Sequence, residues 1–213
     1  MGKAKVLAVF FAVVAVVLVL KREDPTLTRE INVISTSEDV ETYLKKFHNV
    51  LGADYESYRG HLYRVLTYTL HFLDGDQSAL KAISAGLVYH DIAIWTDNNL
   101  AYLEPSVDHV VADTGSIFSA EELQLVKDII YWHHKITPFH GASEKIVNAF
   151  RKADWIDATQ GLVNHGMPAA HVAKVAGAIP YIGFHDALLA SVPRTYGWNI
   201  PLGLWKLSSI MKW

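Results

Sequence analysis

The chain is predicted to be all-α, a helical bundle with a hydrophobic helix at its N-terminus, on three observations. Beyond about residue 37, apolar residues recur at the three-and-four spacing of a helix face. Helix-start and helix-stop residues bracket those runs. No stretch alternates apolar and polar residues between regularly spaced turns, and no segment repeats. At 213 residues, of which 51% are hydrophobic and 19% charged, the chain suits one globular domain; a disordered chain and a polytopic membrane protein are excluded.

The first element is the run VLAVFFAVVAVVLVL over residues 6–20, flanked by Lys3 and Lys5 before it and Lys21 and Arg22 after it. As a helix it would span roughly 22 Å, short of the roughly 30 Å hydrocarbon layer unless the flanking lysines snorkel. A basic start and an apolar run of this length also fit a signal peptide, but no small-x-small cleavage site follows. The expectation is therefore a single-pass membrane anchor over residues 1–22, with secretion after signal cleavage as the alternative. Basic residues on both flanks leave its orientation unread.

A polar stretch over residues 23–36 reads as a linker, and residues 37–213 as the helical domain. Ser35 and Glu38 have capping-box spacing ahead of Val40, Tyr43, Leu44 and Phe47, and Gly52 stops that helix. Leu62, Val65, Leu66, Thr69 and Phe72 share one face of a helix over about 58–73, ended by Asp74-Gly75-Asp76. A third helix runs from about Ser78 to His90-Asp91, before the turn formers Asp97, Asn98 and Asn99. Pro105 opens a short helix closed by Gly115, and Ser119 with Glu122 forms a second capping box before LQLVKDIIYWHHK. Pro138 stops that helix, the next spans about 143–160, and Pro168, Pro180, Pro193 and Pro201 break the remainder into short helices. The last of these, rich in Trp198, Trp205 and Trp213, reads as a helix docked on the core, with a headgroup-facing segment as its rival.

Charge and composition narrow the function. Four of the 19 basic residues and no acidic ones lie in residues 1–22, leaving 15 against 22, a net charge of −7 for the rest. No basic run longer than two residues occurs there, so no nucleic-acid partner is expected and a small-molecule substrate is. With no cysteine there is no disulfide, no thiolate ligand and no cysteine nucleophile, whereas histidine is abundant at eleven residues. The sequence carries no signal for oligomeric state. Neither a phosphate-binding glycine loop nor a serine nucleophile elbow occurs.

His61, His90-Asp91 and Asp154 fall on three separate helices. An aspartate within an apolar helical run, as in Ala153-Asp154-Trp155, is costly unless it is paired or ligates a cation. Imidazole and carboxylate ligands from separated helices suit a divalent ion such as Mn, Fe, Ni, Co, Zn or Mg.

The ordered set His61, His90-Asp91 and Asp154, in the contexts GHLYRV, GLVYHDIAIW and AFRKADWID, resembles the HD-domain metal-dependent phosphohydrolases, over about residues 55–160. That resemblance implies an all-α domain whose metal is held by His61, His90, Asp91 and Asp154, and a reaction in which water activated at the metal attacks phosphorus. It implies catalytic roles for Asp91, which can orient the water, and for His133 and His134, which stand where many members carry further histidines. His134 and Lys135 are the expected phosphate contacts. Both His133 and His134 are expected near the pocket, with only one facing it squarely because neighbours on a helix point about 100° apart. Arg64, on the face of His61, is expected to contact substrate or to pair with a buried carboxylate.

Relatives with two irons oxidise carbon substrates and place two more histidines between the His-Asp pair and the last Asp; here His109 and His133 occupy that interval. Nucleotidase members often carry a glutamate shortly after the pair, whereas this chain continues Ile92-Ala93-Ile94-Trp95, which argues against a nucleotidase. An aromatic pocket drawn from Tyr89, Trp95, Tyr102, Trp132 and Trp155 would suit a small organic substrate. The reading is a hydrolase of a small phosphoester. Its rivals are a di-iron oxygenase or small-molecule hydratase on the same scaffold, and a non-enzymatic membrane-tethered sensor domain.

Overall fold

The computed structural model describes residues 23–197 and 199–210, and among these the regular structure is entirely helical. The helices are α1 (Glu38–Leu44), α2 (His48–Leu51), α3 (Tyr55–Phe72), α4 (Leu80–Tyr89), α5 (Ala93–Thr96), α6 (Leu103–Thr114), α7 (Ala120–Trp132), α8 (Glu144–Ala158), α9 (Ala169–Ala178), α10 (Phe184–Tyr196) and α11 (Ile200–Ile210). The centre of the bundle is α3, buried along nearly its whole length and packed most extensively on α8. Beside this pair α4 packs on α7 and α1, and α6 lies against α7 and α4. Contacts with α8, α4, α9, α10 and α2 explain why α3 carries buried residues all round and not a single stripe.

Local signals set most of the boundaries. The capping box at the start of α7 is formed in both directions, with the Glu122 amide donating to Ser119 Oγ at 3.2 Å and the Ser119 amide to Glu122 Oε2 at 2.9 Å. Ser119→Ala is expected to cost about 1 kcal/mol of stability, seen as a shift in the urea midpoint with an unchanged slope. The other capping box does not form. The first helix starts only at Glu38, and Ser37 donates its amide to Tyr63 Oη at 3.1 Å and does not cap with its side chain. Tertiary contacts win there: the Ile34 amide donates to Thr67 Oγ1, and Arg59 reaches the Ser35 carbonyl, which holds residues 31–36 extended against α3.

Residues 23–36, expected to be a linker, are laid along the bundle. Leu27 and Ile31 are buried, the Asp24 amide donates to the Gly166 carbonyl, and His171 and Lys174 of α9 donate to the carbonyls of Arg29 and Ile31.

The expected membrane anchor is corrected. Among the described residues no helix is long and apolar enough to cross a membrane, and the run at 6–20 on which the anchor rested lies outside the described residues. Single-pass anchoring is therefore withdrawn. At the other end, α11 packs on α10 and buries Ile210, while Trp205 is exposed. Trp198 and Trp213 lie outside the described residues.

Candidate metal centre

The His-Asp and His-His pairs both sit just past the end of a helix. After α4, His90 turns its Nδ1–H back to the Leu87 carbonyl at 2.6 Å; after α7, His133 does the same to Ile130, also at 2.6 Å. Each imidazole thereby satisfies a helix-terminal carbonyl and presents its other nitrogen, Nε2, to the interior. His61, within α3, is oriented from α8: its Nδ1–H donates to Asp157 Oδ2 at 2.7 Å. A carbonyl or carboxylate oxygen only accepts, so three imidazoles carry their proton on Nδ1 and aim Nε2 lone pairs inward.

Those lone pairs converge. His61 Nε2 and His90 Nε2 face each other at 3.1 Å. Asp154 Oδ1 stands 3.6 Å from the first and 3.7 Å from the second, and Asp91 Oδ2 is 3.2 Å from His90 Nε2. On its other side Asp91 Oδ1 lies 3.3 Å from His133 Nε2, and neither atom has a hydrogen-bond partner. Two acceptors facing each other in a dry interior repel, and each unpaired buried polar atom costs about 1–3 kcal/mol. A cation between them removes both penalties. Among the described residues, donors lying within 4.8 Å of one another form three groups: His61, His90 and Asp154; His90, Asp91 and His133; and His133, His134 and Asp154.

Charge points the same way. Asp91, Asp154, Asp157 and Arg64 are each 5% exposed or less at the side chain. Around the histidines themselves the three carboxylates meet a single guanidinium, whereas the other buried cations, Lys135 and Arg151, bond to backbone carbonyls, so a further positive charge is favoured beside the carboxylates. Burial pushes the Asp91 carboxyl up, but His90 and His133 outweigh it and hold it well below the usual carboxylate range. Asp154 follows the same balance, with burial opposed by His90 and His133, and is lowered to about 2.

Without a metal, a proton fills the gap. Burial lowers the His90 pKa, but Asp91 and Asp154 overcome it and push it up to about 10. Folded His90 therefore holds its extra proton more tightly than the unfolded chain, whose pKa lies near 6.5. In the metal-free protein this contributes stability that is complete below about pH 6.5 and lost as pH rises through about 10. A divalent ion must displace that proton. Its affinity is expected to rise about tenfold per pH unit between about pH 7 and 9, with about one proton released, as read by calorimetry in two buffers of different ionisation enthalpy.

Behind His61, Arg64 donates from Nε to Asp157 Oδ1 at 2.6 Å and from Nη2 to Oδ2 at 3.0 Å, and its Nη1 reaches the Pro180 carbonyl at 3.1 Å. Of the two roles expected for Arg64, the structure shows the buried carboxylate partner. Asp157 was not singled out in the sequence, although it follows Asp154 by three residues and so shares its helix face. Phe184 was also missed; it stacks on His61 with ring centroids 4.1 Å apart at 10°.

Both His133 and His134 lie at the cluster. His133 keeps a helical backbone at φ −58° and ψ −31° just past Trp132, and the two ring centroids lie 3.9 Å apart. At 20% exposed, His134 is the most accessible member; its Nε2 shares a hydrogen bond with the Tyr102 hydroxyl and its Nδ1 lies 3.9 Å from Asp154. Burial and the neighbouring His133 lower its pKa to about 3, so it stays neutral. His109 is not brought in: its Nε2 pairs with Asp97 at 2.6 Å on a partly exposed face of α6, and no group of donors includes it. Lys135 turns away from the expected phosphate role and donates to the Ile210 carbonyl at 3.2 Å. Of the five aromatics expected to line a pocket, Tyr102 touches the cluster, whereas Tyr89 bonds Asp113, Trp95 bonds Asp54 and Trp132 packs on Phe139. Comparison with family models, with curated proteins and with solved structures finds no match to this chain.

Proposed function

We propose that this chain is a metal-dependent hydrolase of the HD type that acts on a small phosphoester. The observation that carries the reading is that His61, His90, Asp91 and Asp154, in the chain order of the HD pattern, fall into two adjoining donor groups that share His90, where Nε2 lone pairs meet carboxylate oxygens. These four residues would hold the ion. A divalent cation bound there supplies positive charge that lowers the pKa of a water and offsets charge on phosphoryl oxygens.

The rest falls to the protein. Asp91 has one carboxylate oxygen toward His90 and the other unpartnered, and so can orient the attacking water. His134 is the most exposed member of the cluster and meets the incoming substrate, with Tyr102 bonded to it and His133 beside it. Arg64 and Lys135 are committed to Asp157 and Ile210, which favours a small substrate of low charge over a nucleoside triphosphate.

The test is release of p-nitrophenol from p-nitrophenyl phosphate by the full chain supplied in turn with Mn, Fe, Ni, Co, Zn and Mg. Hydrolysis stopped by EDTA and by Asp91→Ala is expected; hydrolysis indifferent to both, or none with any ion, counts against the reading. One observation favours a second reading on the same scaffold. The group His133, His134 and Asp154 adjoins the first, so six donors are within reach of two ions. Two irons per chain with substrate-dependent oxygen uptake would favour the oxygenase.

A further inference from the structure

The cluster is closed off, yet an enzyme must admit substrate and ion. Apart from His134, its side chains are 5% exposed or less. Resting on the metal-site reading above, the geometry points to the α10–α11 hairpin as a gate that must lift from the body to admit ligands.

Four contacts place the hairpin over the site. Phe184 stacks on His61, and His185 Nε2 donates to the Asp157 carbonyl at 3.1 Å. At the end of α10, Tyr196 Oη accepts from the Leu100 amide at 3.4 Å, two residues from Tyr102. At the end of α11, the Ile210 carbonyl accepts from Lys135 beside His134. These points surround the cluster and touch the segments that bear His61, Asp157, Tyr102 and His134.

The hairpin holds the body through few buried side chains of α10. Its two helices pack mainly on each other, close enough that a Cβ on Gly203 would meet Tyr196 and Val192 at 3.0 Å. Toward the body, α10 buries Phe184, Ala187 and Ser191 and packs half-buried Leu188 on the core, with Leu189 left exposed. Elements with few buried apolar contacts open at low free energy. The chain enters α10 through Gly183 at φ +95°, where nothing lies within 4 Å of a Cβ position, so this joint has room to turn. An ion pair between Arg194 Nη1 and Asp54 Oδ2 at 3.7 Å latches the free end.

The chain has no cysteine, so a clean cross-link is available. The full-length D54C/R194C protein, loaded with Co²⁺, is joined by a short bismaleimide or left open, and stripping by EDTA is followed through the visible absorption of Co²⁺. The gate predicts release at least tenfold slower in the cross-linked form. In an otherwise native chain, Arg194→Glu sets like charges against Asp54 and should speed release several-fold, which tests the gate should the double variant not fold. Full Co²⁺ loading with identical rates, cross-linked or open, would overturn the gate and leave the metal site standing. No Co²⁺ bound in any form would overturn both.

Discussion

Arg64→Met will lower the stability of the metal-free protein by about 3–5 kcal/mol, a fall of roughly 6–20 °C in Tm. Arg64 is fully buried and makes a two-pronged bond to Asp157, which is itself unexposed. Burial pushes the Asp157 carboxyl up, but His61 and Arg64 hold it below its ordinary value. Removing the guanidinium strands a charge that cannot reach water. The effect must shrink when the carboxylate goes too, so Arg64→Met with Asp157→Leu should be less destabilised than Arg64→Met alone. Strictly additive losses, measured by urea unfolding, would show that the two residues do not act as a pair.

Asp154→Ala will weaken divalent-ion binding at least ~100-fold, and Asp157→Asn about 10–100-fold, because the first removes a ligand and the second an orienting partner of one. Asp154 stands within 4 Å of His61, His90 and His134, so its loss breaks two of the three donor groups at once. Asp157 touches none of the inward nitrogens; it fixes the His61 tautomer through Nδ1. Titration of each metal-free variant with Co²⁺ separates the two. Equal losses would make Asp157 a ligand, and no loss from Asp157→Asn would mean that His61 needs no orienting partner.

How far the sequence reaches is decided by the range of the interaction. Helix spacing and the Ser119–Glu122 cap are legible because each is a local pattern, whereas His61, His90-Asp91 and Asp154 are legible only as an ordered motif, whose residues the structure places in buried donor groups. The Ser35–Glu38 cap fails because α3, some 25 residues on, takes the same backbone first through Tyr63 and Thr67. His109 and His134 could not be told apart by spacing. What separates them is that the two rings after α7 lie beside the buried carboxylates Asp91 and Asp154, while His109 stays on a helix face next to Asp97. Phe184 and the Asp157–His61 bond join positions about 100 residues apart, and nothing in their neighbourhoods announces a partner.

Elemental analysis of the purified full chain beside its His90→Ala variant, after each has been offered the six divalent ions and dialysed, bears on everything above. His90 belongs to two of the donor groups and faces His61 directly. The native chain should retain about one or two ions and the variant fewer than about 0.1, since binding energy at such a site is lost with its central ligand. A native chain that retains none, or a variant that retains as much as the native chain, would contradict the assignment of this cluster as a metal centre.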